Sequence, residues 1–175
     1  LYFLPFTLYL FSDVPPGFEV YFNEPNSSGT YDPKAKENTK LDFVFYNFIN
    51  SATLNQKTTI YAAFYDVDNS TAIAALNLAY SRGSAVYLIC DAGDADATTT
   101  DLISFSSITI PSANKIRTLA GNEVHNMFCV IKDSSVWTGS WNPTNNYTYA
   151  NNNNVVVIYS SEVAKYYEME FSNMF

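Results

Sequence analysis

Val124-His125-Asn126-Met127-Phe128-Cys129-Val130-Ile131-Lys132-Asp133, continued by Val136-Trp137-Thr138-Gly139-Ser140-Trp141-Asn142, is the stretch whose reading decides the fold. Both halves are rich in β-branched and aromatic residues, and a turn signal separates them. The spacing predicts two antiparallel strands joined by a two-residue turn at Asp133-Ser134. Such a turn pairs Lys132 with Ser135, and therefore His125 with Asn142 and Met127 with Ser140. Side chains alternate along strands, so these last four are expected on one face. His125 is the only histidine in the chain. An imidazole beside a hydroxyl and a carboxamide suits the binding of phosphate oxygens.

Outward from this hairpin, 175 residues are enough for one domain with a real core. The chain is 47% hydrophobic with 14 Tyr and 13 Phe, which implies ordered globular structure rather than disorder. Net charge is -8 with only nine Lys plus Arg and no basic run, so general nucleic-acid binding is not expected. Few charges, abundant Asn, Thr and Tyr, and sequons at Asn26, Asn69 and Asn146 suit an extracellular or secreted glycoprotein. Cys90 and Cys129 fall in predicted strands and read as two buried free thiols; a disulfide would require those strands to be neighbours. Leu1–Phe11 is an uncharged apolar run interrupted by Pro5, too short to span a bilayer. Residues 1–17 are therefore expected to be an N-terminal apolar arm or signal remnant, and 18–175 a single domain. No transmembrane segment is expected later in the chain.

Phe18–Phe22 reads as a short strand after Pro15-Pro16-Gly17, and residues 23–39 as a loop. Leu41, Val44, Phe45, Phe48 and Ile49 form a helical stripe. Thr58–Tyr65 reads as a strand, and a helix follows with Ser70 as its N-cap and Ile73, Leu76 and Tyr80 on its apolar face. Gly83 marks that helix's end, and Ala85–Cys90 reads as a strand covered on both faces. Ile108–Ile110 is predicted as a short strand, 112–122 as a connection, and 145–154 as an Asn-rich loop. A strand over Val155–Tyr159 and a last helix carrying Val163, Tyr166, Tyr167, Phe171, Met174 and Phe175 complete the chain. Strands alternating with helices, then a hairpin, predict an α/β (α+β mixed) domain with a mixed central sheet flanked by helices on both faces.

These residues resemble the phospholipase D superfamily from about Phe18 to Phe175. "TTIYAAFYDVDN", "TAIAALNLAYSRGSAVYLICD" and the closing "NNNNVVVIYSSEVAKYYEMEF" are similar to that family's opening, buried strand and final strand-helix. The specific part is a His-x-Lys-x4-Asp motif followed by Gly-Ser-x-Asn. His125 supplies the histidine, and Gly139-Ser140-Trp141-Asn142 matches the second element. The resemblance implies a phosphodiesterase in which two motifs meet at one site. One histidine attacks phosphorus, the other protonates the leaving group, and lysines and asparagines hold the oxygens. It assigns His125 as nucleophile, and Ser140 and Asn142 as phosphate-binding residues. One motif copy implies a homodimer, or half of something longer.

Three positions depart from the pattern. The motif lysine is Met127, whose thioether cannot replace a cation. The motif aspartate is Lys132, which strand geometry places about 16 Å from Met127 and on the opposite face. Asn153 stands where the family often has a glutamate. Loss of an electrostatic clamp on the transition state costs about 2.7–4 kcal/mol, roughly 100- to 1000-fold in rate, so an active enzyme is expected to be impaired. The alternative is a catalytically inactive extracellular binding or structural (assembly) subunit on the same fold. A lone histidine without a convergent Cys or carboxylate pattern gives no metal site, and no cofactor is expected. Asp91, Asp94 and Asp96 lack calcium-loop spacing and read as a solvated loop.

Overall fold

The computed structural model describes residues 17–23, 40–91, 105–118 and 123–175. Seven strands form one mixed sheet: β1 (Phe18–Phe22), β2 (Thr59–Phe64), β3 (Ala85–Cys90), β4 (Lys115–Arg117), β5 (Phe128–Ile131), β6 (Ser135–Gly139) and β7 (Asn154–Ile158). Their order is β1-β7-β6-β5-β2-β3-β4, with β2, β3 and β4 parallel and the other pairs antiparallel. Four helices have described bounds, α1 (Leu41–Thr53), α2 (Ser70–Ser81), α3 (Asn145–Tyr149) and α4 (Ser161–Met174), residues 105–107 are also helical, and a 3-10 turn lies at Ser112–Asn114. The predicted arm, apart from Gly17, lies outside the described residues, as do Asn26, Asp94 and Asp96.

Alternation along the strands divides the core between two faces. Ile60, Ala62 and Phe64 of β2, Val86, Leu88 and Cys90 of β3, Cys129 and Ile131 of β5, and Trp137 of β6 meet the stripe of α1 and the small face of α2. Trp137, Trp141, Phe45 and Phe64 cluster edge-on or tilted, with centroids 5.2–6.5 Å apart. On the opposite face Ala63, Ile89, Phe128, Val130 and Val136 receive Ala164 and Phe171 of α4. Helices thus flank the sheet on both faces. Cys90 and Cys129 are buried and unpaired, and β2 lies between their strands.

Several local expectations change. Asn69, not Ser70, caps α2: its Oδ1 accepts from the N–H groups of Thr71 and Ala72 at 3.0 Å each. An Asn whose amide is also needed by Asp42 and Asn145 wins that position. Residues Ile108–Ile110 form no strand; Ile108 and Ile110 are core plugs, and the edge strand is instead β4, whose Ile116 pairs with Ile89. The Asn-rich segment contains α3, capped by Thr144. Tyr80 and Tyr166 sit at the rims of their helices and are exposed. The sequon residue Asn69 is buried, while Asn146 is exposed.

The hairpin differs in register. Its turn has three residues, Lys132-Asp133-Ser134, because Asp133 adopts a left-handed conformation (φ 54°) and the Ser134 N–H reaches the Ile131 carbonyl at 3.0 Å. Ile131 therefore pairs with Ser135 and Phe128 with Thr138. This is one residue away from the expected pairing, so His125 is not opposite Asn142, nor Met127 opposite Ser140.

Candidate functional site

One end of the sheet collects the polar residues. The C-terminal ends of β2, β3 and β4, the start of β5, the end of β6 and the start of β7 all lie there. The carboxyl ends of parallel strands are where open α/β sheets place ligands. His125 and Met127 precede β5 in a segment without regular secondary structure. The approach is fixed by Asp91, just past β3, whose Oδ2 accepts from the Val124 N–H at 2.8 Å and the Thr118 hydroxyl at 3.2 Å. Tyr65, just past β2, lays its ring against the exposed imidazole of His125, centroids 5.1 Å apart.

The opposite wall is the segment from β6 to β7. Gly139 is required there: a Cβ would lie 2.2 Å from the Asn154 carbonyl oxygen. This close approach lets the Ser140 N–H reach Asn154 O at 3.0 Å while Ser140 Oγ accepts from the Asn154 N–H at 3.1 Å. The Ser140 hydroxyl donates to Asn153 Oδ1 at 3.0 Å. Asn153, nearly buried, donates its amide to the Tyr147 carbonyl at 2.7 Å, and its N–H goes to Asn23 Oδ1 at 2.6 Å. Asn23 in turn donates to the carbonyls of Tyr147, Thr148 and Asn151. Beneath this wall Trp141 Nε1 donates to Thr148 Oγ1 at 3.0 Å. Asp68 Oδ1 accepts the Asn145 N–H at 2.6 Å.

Between the walls is a cavity of about 730 Å³ lined by His125, Met127, Gly139, Ser140, Tyr147 and the run Ala150–Asn153. The hairpin register is not what unites His125, Met127 and Ser140; the lead-in to β5 and the bend after Gly139 do so. Asn142 does not line the cavity. It is fully buried, its Oδ1 accepting the Tyr65 N–H at 3.2 Å, and its Nδ2 is a buried donor with no partner among the described residues. Lys132 lies in the hairpin turn at the far end of β5, exposed, with its N–H on Thr59 O.

Tyr65, Tyr147, Asn151 and Asn152 were not singled out by the sequence. The run Asn151–Asn154 was a visible signal, but it reads equally as loop. Tyr65 gave no signal beyond ending a strand. Among the described residues no group of His, Cys, Asp or Glu is arranged to hold a metal, and no helix is long and apolar enough to cross a membrane.

Comparison with known proteins yields a match of residues 45–175 to the family described as cardiolipin synthase, PLD-like domain. The crystal structure of Nuc, a phospholipase D family member from Salmonella typhimurium, matches with a TM-score of 0.66 at 21% identity, over 90% of this chain and 92% of that one. NucT from Helicobacter pylori matches at 0.61 and 16% identity, over 90% of this chain and 95% of its own. Polyphosphate kinase from Porphyromonas gingivalis matches at 0.58 and 14%, over 84% of this chain and 24% of the kinase. At such identities these structures share the fold. No significant match is found among curated protein sequences.

Proposed function

The chain belongs to the phospholipase D superfamily, in the family of cardiolipin synthase PLD-like domains, and from that premise we propose that it is a phosphodiesterase domain with His125 as nucleophile. The observation that carries this reading is that the His125 imidazole and the Ser140 hydroxyl, brought from two segments, line one cavity.

In the proposed step an imidazole nitrogen bonds to phosphorus as the ester P–O bond breaks. The leaving alkoxide takes a proton from a second imidazole, and water then displaces the histidine. With one histidine in these 175 residues, the second imidazole has to come from outside them, from a second copy or from further sequence, and we take the homodimer as the working unit. Turnover is impaired, because Met127 occupies the position of the clamping cation and Lys132, at the other end of β5, does not replace it. We also place the protein outside the cell, a reading supported by its composition and the exposed sequon at Asn146.

A second reading, a catalytically inactive extracellular binding or assembly subunit, is favoured by one observation: among the described residues no Lys, Arg, Asp or Glu lines the cavity. Hydrolysis of bis(p-nitrophenyl) phosphate separates the two. Turnover that His125→Ala abolishes and Met127→Lys raises supports the enzyme. Silence in the wild type with activity appearing in Met127→Lys supports the inactive subunit. Turnover unchanged in His125→Ala refutes the site.

A further inference from the structure

The imidazole of His125 is exposed and, among the described residues, has no hydrogen-bond partner of its own. Its direction depends on the chain either side of it and on the Tyr65 ring, inclined at 49° with centroids 5.1 Å apart. Neither is held by regular secondary structure: Val124, His125 and Asn126 precede β5, and Tyr65 lies past the end of β2. Asp91 reaches both. Its Oδ2 accepts from the Val124 N–H at 2.8 Å, and its own N–H donates to the Tyr65 carbonyl at 3.2 Å. The side chain is buried just past β3, where the Thr118 hydroxyl donates to the same carboxylate oxygen at 3.2 Å. On the other side of His125, Asn126 Nδ2 donates to Met174 Sδ of α4 at 2.8 Å. A thioether is a weak acceptor, whereas a hydrogen bond to a carboxylate is roughly twice as strong as one between neutral groups. The tether on Val124 therefore outweighs the tether on Asn126.

We propose that Asp91 is the positioning residue of this site: it ties Val124 to Tyr65, so that the His125 imidazole is held against the Tyr65 ring at the cavity wall. The strand that follows does not do this by itself. Ladder bonds of β5 begin at Phe128, three residues beyond His125, whereas the Val124 N–H is one residue before it. Asp91 in turn is fixed by the β3 it follows and by its neighbour strand, since its backbone carbonyl accepts from Arg117 Nε of β4 at 3.4 Å. The rigid end of the parallel sheet thus sets the direction of a group carried on irregular chain. This inference rests on the phosphodiesterase reading only for the use made of that direction, because a nucleophile has to lie near its line of attack before the reaction.

The test is proton NMR of the untagged full chain. His125 is the only histidine in the 175 residues, so its imidazole signals stand free of overlap from other imidazoles. The Tyr65 ring displaces those signals, and Tyr65→Leu supplies the undisplaced reference. Asp91→Ala should move them most of the way to that reference while circular dichroism stays unchanged. Asp91→Asn should leave them at the wild-type position, because its carbonyl oxygen can take both bonds of Oδ2. Wild-type signals in Asp91→Ala overturn the proposal, as do equal displacements in the two Asp91 variants or a Tyr65→Leu spectrum identical to wild type. If Asp91→Ala does not fold, hydrogen exchange of the wild-type Val124 amide decides. That amide lies outside any strand or helix, so slow exchange supports the tether, and exchange at the rate of an open chain overturns it. Diester hydrolysis measured in parallel keeps the two readings apart. In an active protein Asp91→Ala lowers kcat on the order of 100-fold with KM little changed, and Asp91→Asn restores it. Displaced signals in a protein without turnover support the tether and refute only the catalytic reading. His125-dependent turnover with undisplaced signals in Asp91→Ala refutes this inference alone.

Discussion

Gly139→Ala tests whether the pocket wall is held by backbone proximity. The added Cβ would lie 2.2 Å from Asn154 O and 2.9 Å from Val155 Cα. Both are backbone atoms that no rotamer change can move, and the shortfall from ordinary contact at the oxygen is about 1 Å. Strands β6 and β7 must part at the point where Ser140 N–H meets Asn154 O and Asn154 N–H meets Ser140 Oγ. Overpacking costs about 1–3 kcal/mol, and two hydrogen bonds add about 0.5–1.5 kcal/mol each. The sum is about 2–6 kcal/mol, which for a chain of this size lowers Tm by roughly 5–20 °C. Gly83→Ala is the control: its Cβ meets only the flexible end of Lys57, leaving the strain of φ +90° at about 1 kcal/mol. Urea denaturation and thermal melts measure both variants. A Gly139→Ala protein melting within about 2 °C of wild type would refute the reasoning.

Asn69→Ala removes two cap bonds and a donor to the buried Asp42 carboxylate; urea denaturation should show a loss of about 2–4 kcal/mol, and a loss under about 0.5 kcal/mol would contradict the cap. Stability should also fall at high pH. Burial first, then the hydrogen bond to Glu19, pushes the Tyr21 phenol up to about 12, and Tyr159 is raised for the same reasons. Their contribution is complete below the unfolded phenol value of about 10 and disappears as pH rises toward about 12. Urea midpoints measured across that window should decline less in Tyr21→Phe/Tyr159→Phe, and equal slopes would count against the assignment. Burial raises both thiols well above their usual range, so Cys90 and Cys129 should resist a thiol reagent at pH 8 until denaturant is added; rapid labelling of the native protein would show that they are not buried.

The strands and helices with strong periodicity were legible in the sequence, and so was the two-faced mixed sheet. Ala85–Cys90, apolar throughout, could only be a strand covered on both sides, and α1 declared itself through Leu41, Phe45, Phe48 and Ile49. The hairpin register was not legible. Asp133-Ser134 allows a two-residue turn, and only the left-handed Asp133 together with the Lys132 bond to Thr59 selects three residues. Edge strand β4 escaped notice because three residues give no period, and α3 because Asn and Tyr are weak helix formers whose helix depends on Thr144 and Asp68. Residues proposed to hold phosphate were named from a motif, but their distribution depends on tertiary packing. Ser140 reaches the cavity, while Asn142 is sealed beneath Tyr65's backbone.

This division has a consequence for Met127. The pocket wall is built from Asn23, Thr144, Thr148 and Asn153, whose bonds run to one another and to backbone N–H and carbonyl groups. None of those bonds passes through residue 127. Met127 itself packs against the apolar core beside the cavity. A lysine introduced there would therefore enter a cavity whose shape is already set, with no lining carboxylate among the described residues to pair with. Desolvation alone would disfavour its charged form, so the ammonium would gain its counter-charge only from a bound phosphate. Substitution at this one position should thus alter anion binding far more than folding, because the cavity's architecture and its electrostatics are carried by different residues.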